Sequence, residues 1–378
     1  MKTKILIILA VVALVSSLRS LPVSLNGDEV TYFKIANEIA NHNRFYHNDL
    51  PSMVSPVIPT IILITSFFNP DESLIWLSKL LSFIIAILGV LFLLKCLKFF
   101  NISNTLLYCI VALTICNPVF VSWSSSLYPE SIAFFGFWMF LYYIIKLEHV
   151  KDLCYALIAA ILLVFTRYVY VVLLIPILFT IWIKRKLLIS SVQNTKYYLY
   201  IIIVVLMSIP MLYWMHYIIG FLGEQSTSIS YVSRYDQGGI WGQIKVGLGL
   251  EKGVEVSRIN GIPAFINVFF PINGYRNWWL SILLLAGVIW GWSVMKSSKA
   301  KHILIITTSV ILISYVFAGT GFSRYWMNLI PVFLIGFITL AKRFKLSSNL
   351  ISILSILLCT LYVINELRLD ILIIQRDW

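Results

Sequence analysis

Apolar runs of about twenty residues, each closed by a short basic cluster, recur from one end of this chain to the other. Roughly 20 helical residues cross a bilayer core, where only an element that satisfies its own backbone amides is tolerated. Runs at 4–21, 73–94, 105–121, 128–146, 153–166, 168–183, 197–217, 278–295, 303–318, 325–341 and 349–367 predict eleven transmembrane helices. The fold class is an all-α polytopic membrane protein, with 1–378 as a single transmembrane domain. Composition excludes the soluble alternative. The chain is 60% apolar and 12% charged, with a mean hydropathy of +0.91, whereas soluble domains average about 25% charged residues.

The basic clusters fix an expected orientation. They fall at Lys2/Lys4, Lys95/Lys98, Lys146/Lys151, Lys184-Arg185-Lys186, Lys296/Lys299/Lys301 and Lys342-Arg343-Lys345. Such spacing suits cytoplasmic loops under the positive-inside rule. A net charge of +13 spread in this way forms no patch for nucleic acid, which is excluded as a partner. The basic start and the missing small-x-small cleavage site at 16–20 predict a retained first helix with a cytoplasmic N-terminus. Sixteen of the 29 Lys and Arg then face the cytoplasm, accompanied only by Glu148 and Asp152. The expected location is a cell membrane, multi-pass, with the active site on the outer face. Five cysteines lie in or near spans without a CxxC, so neither a disulfide framework nor structural zinc is expected.

Two segments test this map. Val54–Phe68 is apolar but short and carries Pro56 and Pro59, so it reads as a helix lying in the outer interface. Leu153–Ile183 lies between two basic clusters and must cross an even number of times. Two short helices meeting at Arg167-Tyr168 satisfy both ends. Outer segments then cover 22–72 and 218–277, with a short outer tail at Glu366–Trp378 and no soluble C-terminal domain. The 218–277 loop holds ten of the 18 glycines, with Arg234, Arg258 and Arg276, and reads as a binding lid or acceptor platform.

The candidate chemistry gathers at the outer ends of the spans. Asn26-Gly27-Asp28-Glu29 resembles a capping box opening an amphipathic helix to about Ala40. Its dipole favours ionised Asp28 and Glu29, as metal ligand, general base or simple caps. Glu130 begins the fourth span, and an acid at bilayer depth is a functional candidate by default. Lys79 lies inside the second span; Arg167 and Arg324 stand at helix mouths in an internal echo, Arg167-Tyr168…Pro176 and Arg324-Tyr325…Pro331. Acids and cations converging on one outer cavity suit the handling of a phosphorylated lipid. No HExxH, GxSxG or Walker motif is present.

In this ordered set the chain resembles the C-type (GT-C) glycosyltransferases, nearest the protein O-mannosyltransferase-like and lipid A aminoarabinose transferase branch. Gly27-Asp28-Glu29 through Ala36 is similar to the family's acidic pair and interfacial helix, and Ser55-Pro56-Val57-Ile58-Pro59 to the start of the second interfacial helix. Tyr128-Pro129-Glu130 is similar to the second acidic site, and Arg324-Tyr325 through Pro331 to the late R-Y…P element. Ser55 stands where the family often has a lysine. The resemblance implies a polyprenyl-phosphate sugar donor, an extracytoplasmic acceptor (protein, lipid or glycan) and an inverting displacement. It makes Asp28, Glu29 and Glu130 catalytic candidates, and Lys79, Arg167, Arg324 and Tyr325 candidates for the donor phosphate. Arg234, Arg258 and Arg276 are candidates for the acceptor loop. A divalent metal (Mg or Mn) on Asp28 and Glu130 is compatible with the family. The alternatives are an O-antigen polymerase or ligase, centred on the arginines of the large loop, and a lipid-linked oligosaccharide flippase or other transporter.

Overall fold

The structure is a computed structural model that describes residues 1–47, 50–52, 54–192, 197–224, 239–250, 262–270, 277–317 and 323–377. Seven helical stretches among these residues are long and apolar enough to cross a membrane. They are Lys2–Ser20, Glu72–Phe100, Tyr168–Arg185, Tyr198–Tyr217, Lys299–Phe317, Arg324–Arg343 and Ser348–Ile373. This is a multi-pass membrane protein. Each of the eleven predicted runs coincides with helix, although several of those helices fall short of a full span.

The chain opens with α1 (Lys2–Ser17), then α2 (Asp28–His42) and a small hairpin, β1 (Tyr46–His47) against β2 (Leu50–Pro51), with Tyr46 opposite Pro51. Next come α3 (Val57–Thr65), α4 (Ile75–Leu97), α5 (Asn104–Cys116), α6 (Pro118–Trp123), α7 (Glu130–Lys146) and α8 (Val150–Thr166). A 3-10 segment, Tyr168–Leu173, leads into α9 (Leu174–Val192), which is followed by α10 (Tyr198–Glu224) and α11 (Gly239–Leu248). After a 3-10 segment at Ile262–Val268 come α12 (Trp278–Val294) and α13 (Lys299–Phe317). A last 3-10 segment, Ser323–Leu329, precedes α14 (Ile330–Arg343) and α15 (Ser348–Asp377).

At nine residues, α3 reaches only about 14 Å and cannot cross a bilayer. It packs with α2 through Tyr32, Ala36, Ile58 and Ile62 onto Ile75 of α4 and Ile132 of α7. Both helices of the first loop are thereby seated on one end of the bundle. The 153–183 run breaks at Arg167, whose extended backbone (φ −157°, ψ 123°) ends α8 before the 3-10 turn begins.

Two expectations need correction. The chain after 367 is not a loose tail, because α15 continues to Asp377. Its extra turns are pinned by Arg19, which pairs with Glu366 (2.6 Å) and Asp370 (2.8 Å), while Ser16 donates to Asp370 (2.7 Å). The 218–277 segment does not begin as loop, since α10 runs on to Glu224. Arg234, Arg258 and Arg276 lie outside the described residues.

Candidate functional site

The site is built where α2, α7 and the 3-10 segments Tyr168–Leu173 and Ser323–Leu329 meet. Gly27 precedes α2 with φ 58° and ψ −127°, a backbone that side-chain-bearing residues rarely adopt. Even a Cβ there would stand 3.0 Å from the Tyr128 hydroxyl. This turn brings the Asp28 amide to donate to Tyr128 Oη at 3.2 Å.

The neighbouring acids are used differently. The Asp28 side chain is 40% exposed and meets Arg324 Nη2 at 3.1 Å. Glu29 is buried. Its carboxylate accepts the Leu127 amide (2.9 Å) and the Asn26 amide (3.3 Å) and lies 3.5 Å from Lys79 Nζ. Only this half of the expected capping box is present, because Gly27, not Asn26, is the cap residue and no side chain caps α2. Lys79 is 1% exposed and also donates to the carbonyls of Ser20 (3.1 Å) and Val23 (2.7 Å). An ammonium has three protons, and all three of these face partners within the protein. The geometry therefore does not carry the expectation that Lys79 contacts a donor phosphate. It makes Lys79 a tie between α4, the end of α1 and Glu29.

Glu130, the first residue of α7, is 2% exposed. Its Oε1 receives Arg167 Nη2 at 2.5 Å and faces Arg324 Nε at 3.6 Å. Its Oε2 is buried and has no hydrogen-bond partner among the described residues. The Arg167 guanidinium carbon lies over the Tyr325 ring, 3.7 Å from its centroid. Arg324 is stacked among Tyr128 (4.8 Å), Trp123 (5.3 Å) and Tyr325 (5.3 Å). The result is a chain of alternating charge, Asp28–Arg324–Glu130–Arg167, sealed by aromatic rings and open to solvent mainly at Asp28. Trp123 is the part that sequence reasoning missed, and Tyr128 was singled out only as part of Tyr128-Pro129-Glu130; an aromatic residue five positions before that motif was the only signal.

The side chains present do not suit a metal shared by Asp28 and Glu130. The Arg324 guanidinium occupies the position between the two carboxylates. Among the described residues no group of three or more His, Cys, Asp or Glu side chains converges in a way that could hold an ion.

No family model matches the sequence, and no curated protein matches it. Among solved structures, the fold is similar to that of ArnT from Cupriavidus metallidurans in the apo state. The TM-score is 0.55 at 13% identity, covering 90% of this chain. The chain spans 60% of that protein's length. This likeness is one of fold alone, an ArnT-like arrangement of membrane helices.

Proposed function

We propose that the chain is a membrane glycosyltransferase that moves a sugar from a polyprenyl-phosphate donor to an extracytoplasmic acceptor with inversion. The GT-C-like fold supports the class. The observation that carries the reading is Asp28, the one carboxylate of this cluster open to solvent, at the head of a charge chain whose two arginines lie deeper in the site.

Without donor, Arg324 is neutralised by Asp28 and Glu130. A phosphate arriving beside it competes for the guanidinium, and charge-assisted pairs of this kind are the strong ones. As Arg324 turns to the phosphate, Asp28 loses its partner and becomes free to accept a proton. The acceptor hydroxyl then attacks the anomeric carbon and gives its proton to Asp28. The bond from that carbon to the phosphate oxygen breaks, and the electron pair leaves on the lipid phosphate. Arg324 and Arg167 stabilise the charge that develops there, and Glu130 and the aromatic rings hold both guanidinium planes in place before the reaction. Glu29 and Lys79 act at one remove, by fixing the start of α2.

The test is release of polyprenyl phosphate from a labelled polyprenyl-phosphate hexose by purified protein with crude membrane acceptor. Asp28→Asn should lower turnover by about 10²–10⁴, the usual worth of a positioned base, while donor binding persists. Equal turnover in both proteins would remove Asp28 from the mechanism.

A further inference from the structure

The opposite end of α7 carries a second constellation. Its 17 residues place Lys146 roughly 25 Å from Glu130, close to the thickness of a bilayer core. There the half-buried Lys184 of α9 donates to the Lys146 carbonyl (3.2 Å) and the Leu147 carbonyl (2.5 Å), completing the last turn of α7. Lys146 reaches Asp152 of α8 at 3.4 Å. That carboxylate also accepts the amides of Glu148 and His149, both at 3.1 Å. The frame is thus fixed by its own hydrogen bonds.

Around it runs an open groove of about 710 Å³, lined by Lys146, Glu148, Trp182, Lys184, Arg185 and Lys299. Four cations face one lining carboxylate, and the nearby Asp152 pairs with Lys146 and also acts on Lys184, which leaves the groove with a cationic excess. Past Ile183, Lys184 and Lys299 a narrower slot of about 270 Å³ continues between α9 and α13, walled by Phe179, Ile183 and Ile303. The two polar side chains on that wall beyond the lysines are both engaged: Thr180 donates to the Pro176 carbonyl at 2.7 Å, and His302 Nδ1 lies 2.8 Å from the Ser298 carbonyl. A cationic mouth therefore leads directly to an apolar slot, with the exposed Trp182 at its rim. Inorganic phosphate would match the mouth and leave the slot without a role. An amphiphile with an anionic head matches both.

We propose that this groove binds an anionic phospholipid of the leaflet opposite the candidate active site. Its phosphodiester sits among Lys184, Arg185 and Lys299, and one acyl chain enters the slot between α9 and α13. The site is independent of the glycosyltransferase reading, because none of its residues belongs to the Asp28–Arg324 cluster. Basic pockets between membrane helices are suited to such headgroups.

The experiment is native mass spectrometry of the delipidated full chain with phosphatidylglycerol and phosphatidylcholine of matched acyl chains. Phosphatidylglycerol should stay bound under activation that strips phosphatidylcholine. Reversing two exposed cations, Arg185→Glu with Lys299→Glu, should weaken phosphatidylglycerol binding about tenfold or more and leave phosphatidylcholine unchanged. If that pair fails to fold, Arg185→Gln with Lys299→Gln should show the same loss in smaller degree. The control pair Lys98→Glu with Lys345→Glu, exposed cations at the same end but outside the groove, should bind as wild type does. Equal retention of both lipids would overturn the proposal, as would an equal loss in the control pair. Displacement of the lipid by excess inorganic phosphate would also overturn it, by showing a site for the free anion.

Discussion

Of the three carboxylates in the cluster, Asp28 alone is substantially open to water, and the difference decides what each residue change should do. Glu130 is buried with Arg167 at 2.5 Å. Removing one partner of a buried pair leaves an uncompensated charge and typically costs about 3–5 kcal/mol. Arg167→Ala should therefore lower thermal stability strongly, since Arg324 Nε, at 3.6 Å, is a poorer partner for the same oxygen. Adding Glu130→Gln to that variant removes the stranded charge and should recover much of the loss in melting temperature. On the proposed glycosyltransferase reading it should not recover activity, because the guanidinium assigned to the phosphate is still missing. If the double variant melts no higher than Arg167→Ala, the ion pair does not set the stability of this corner. Arg167→Lys keeps the charge but gives up the guanidinium over the Tyr325 ring, so it is not a conservative change here.

At the level of elements, hydropathy made the helices legible because burial in lipid demands a helix wherever the run is long enough. The breaks were legible too. Arg167-Tyr168 and Arg324-Tyr325 each fall at a 3-10 segment that leads into a proline-bearing helix, α9 or α14. This shared geometry delivers both arginines to Glu130. What sequence could not give was which cation faces inward to structure and which faces the site, because Lys79 inside a span and Arg324 at a helix mouth are both cations near the outer ends of apolar runs. Only the fold brings the Ser20 and Val23 carbonyls to Lys79. Lys79→Met should accordingly lower the melting temperature, since it strands buried Glu29, and leave the KM for the lipid donor nearly unchanged in the folded fraction. Partial restoration of stability by Glu29→Gln would support the tie. A large rise in donor KM without loss of stability would return Lys79 to phosphate binding.

Across the whole molecule, the cluster depends on how α14 is held, because Arg324 and Tyr325 lie in the 3-10 segment that runs directly into it. Without a hydrophobic force between helices in lipid, close approach rests on small residues. α12 and α14 cross at Gly291 and Gly336, where a Cβ on Gly291 would overlap the Gly336 carbonyl. A Cβ on Gly336 would stand 2.9 Å from the Val288 carbonyl and 3.2 Å from Trp292 Nε1. That indole donates to the Val332 carbonyl at 3.1 Å and locks the crossing. Gly336→Val should then push the helices apart at a cost of about 1–3 kcal/mol, the usual range for overpacking. The displacement would pass along α14 to Arg324 and misalign it against Asp28 and Glu130. Turnover should fall several-fold more than the folded fraction does, although every residue of the cluster is intact. The comparison needed is turnover per folded molecule for Gly336→Val and Gly336→Ala, with melting curves for both. A loss that tracks the folded fraction alone would show that the crossing stabilises the bundle without positioning the site. A graded loss beyond it would make the α12–α14 contact part of what holds the arginine in register with the base.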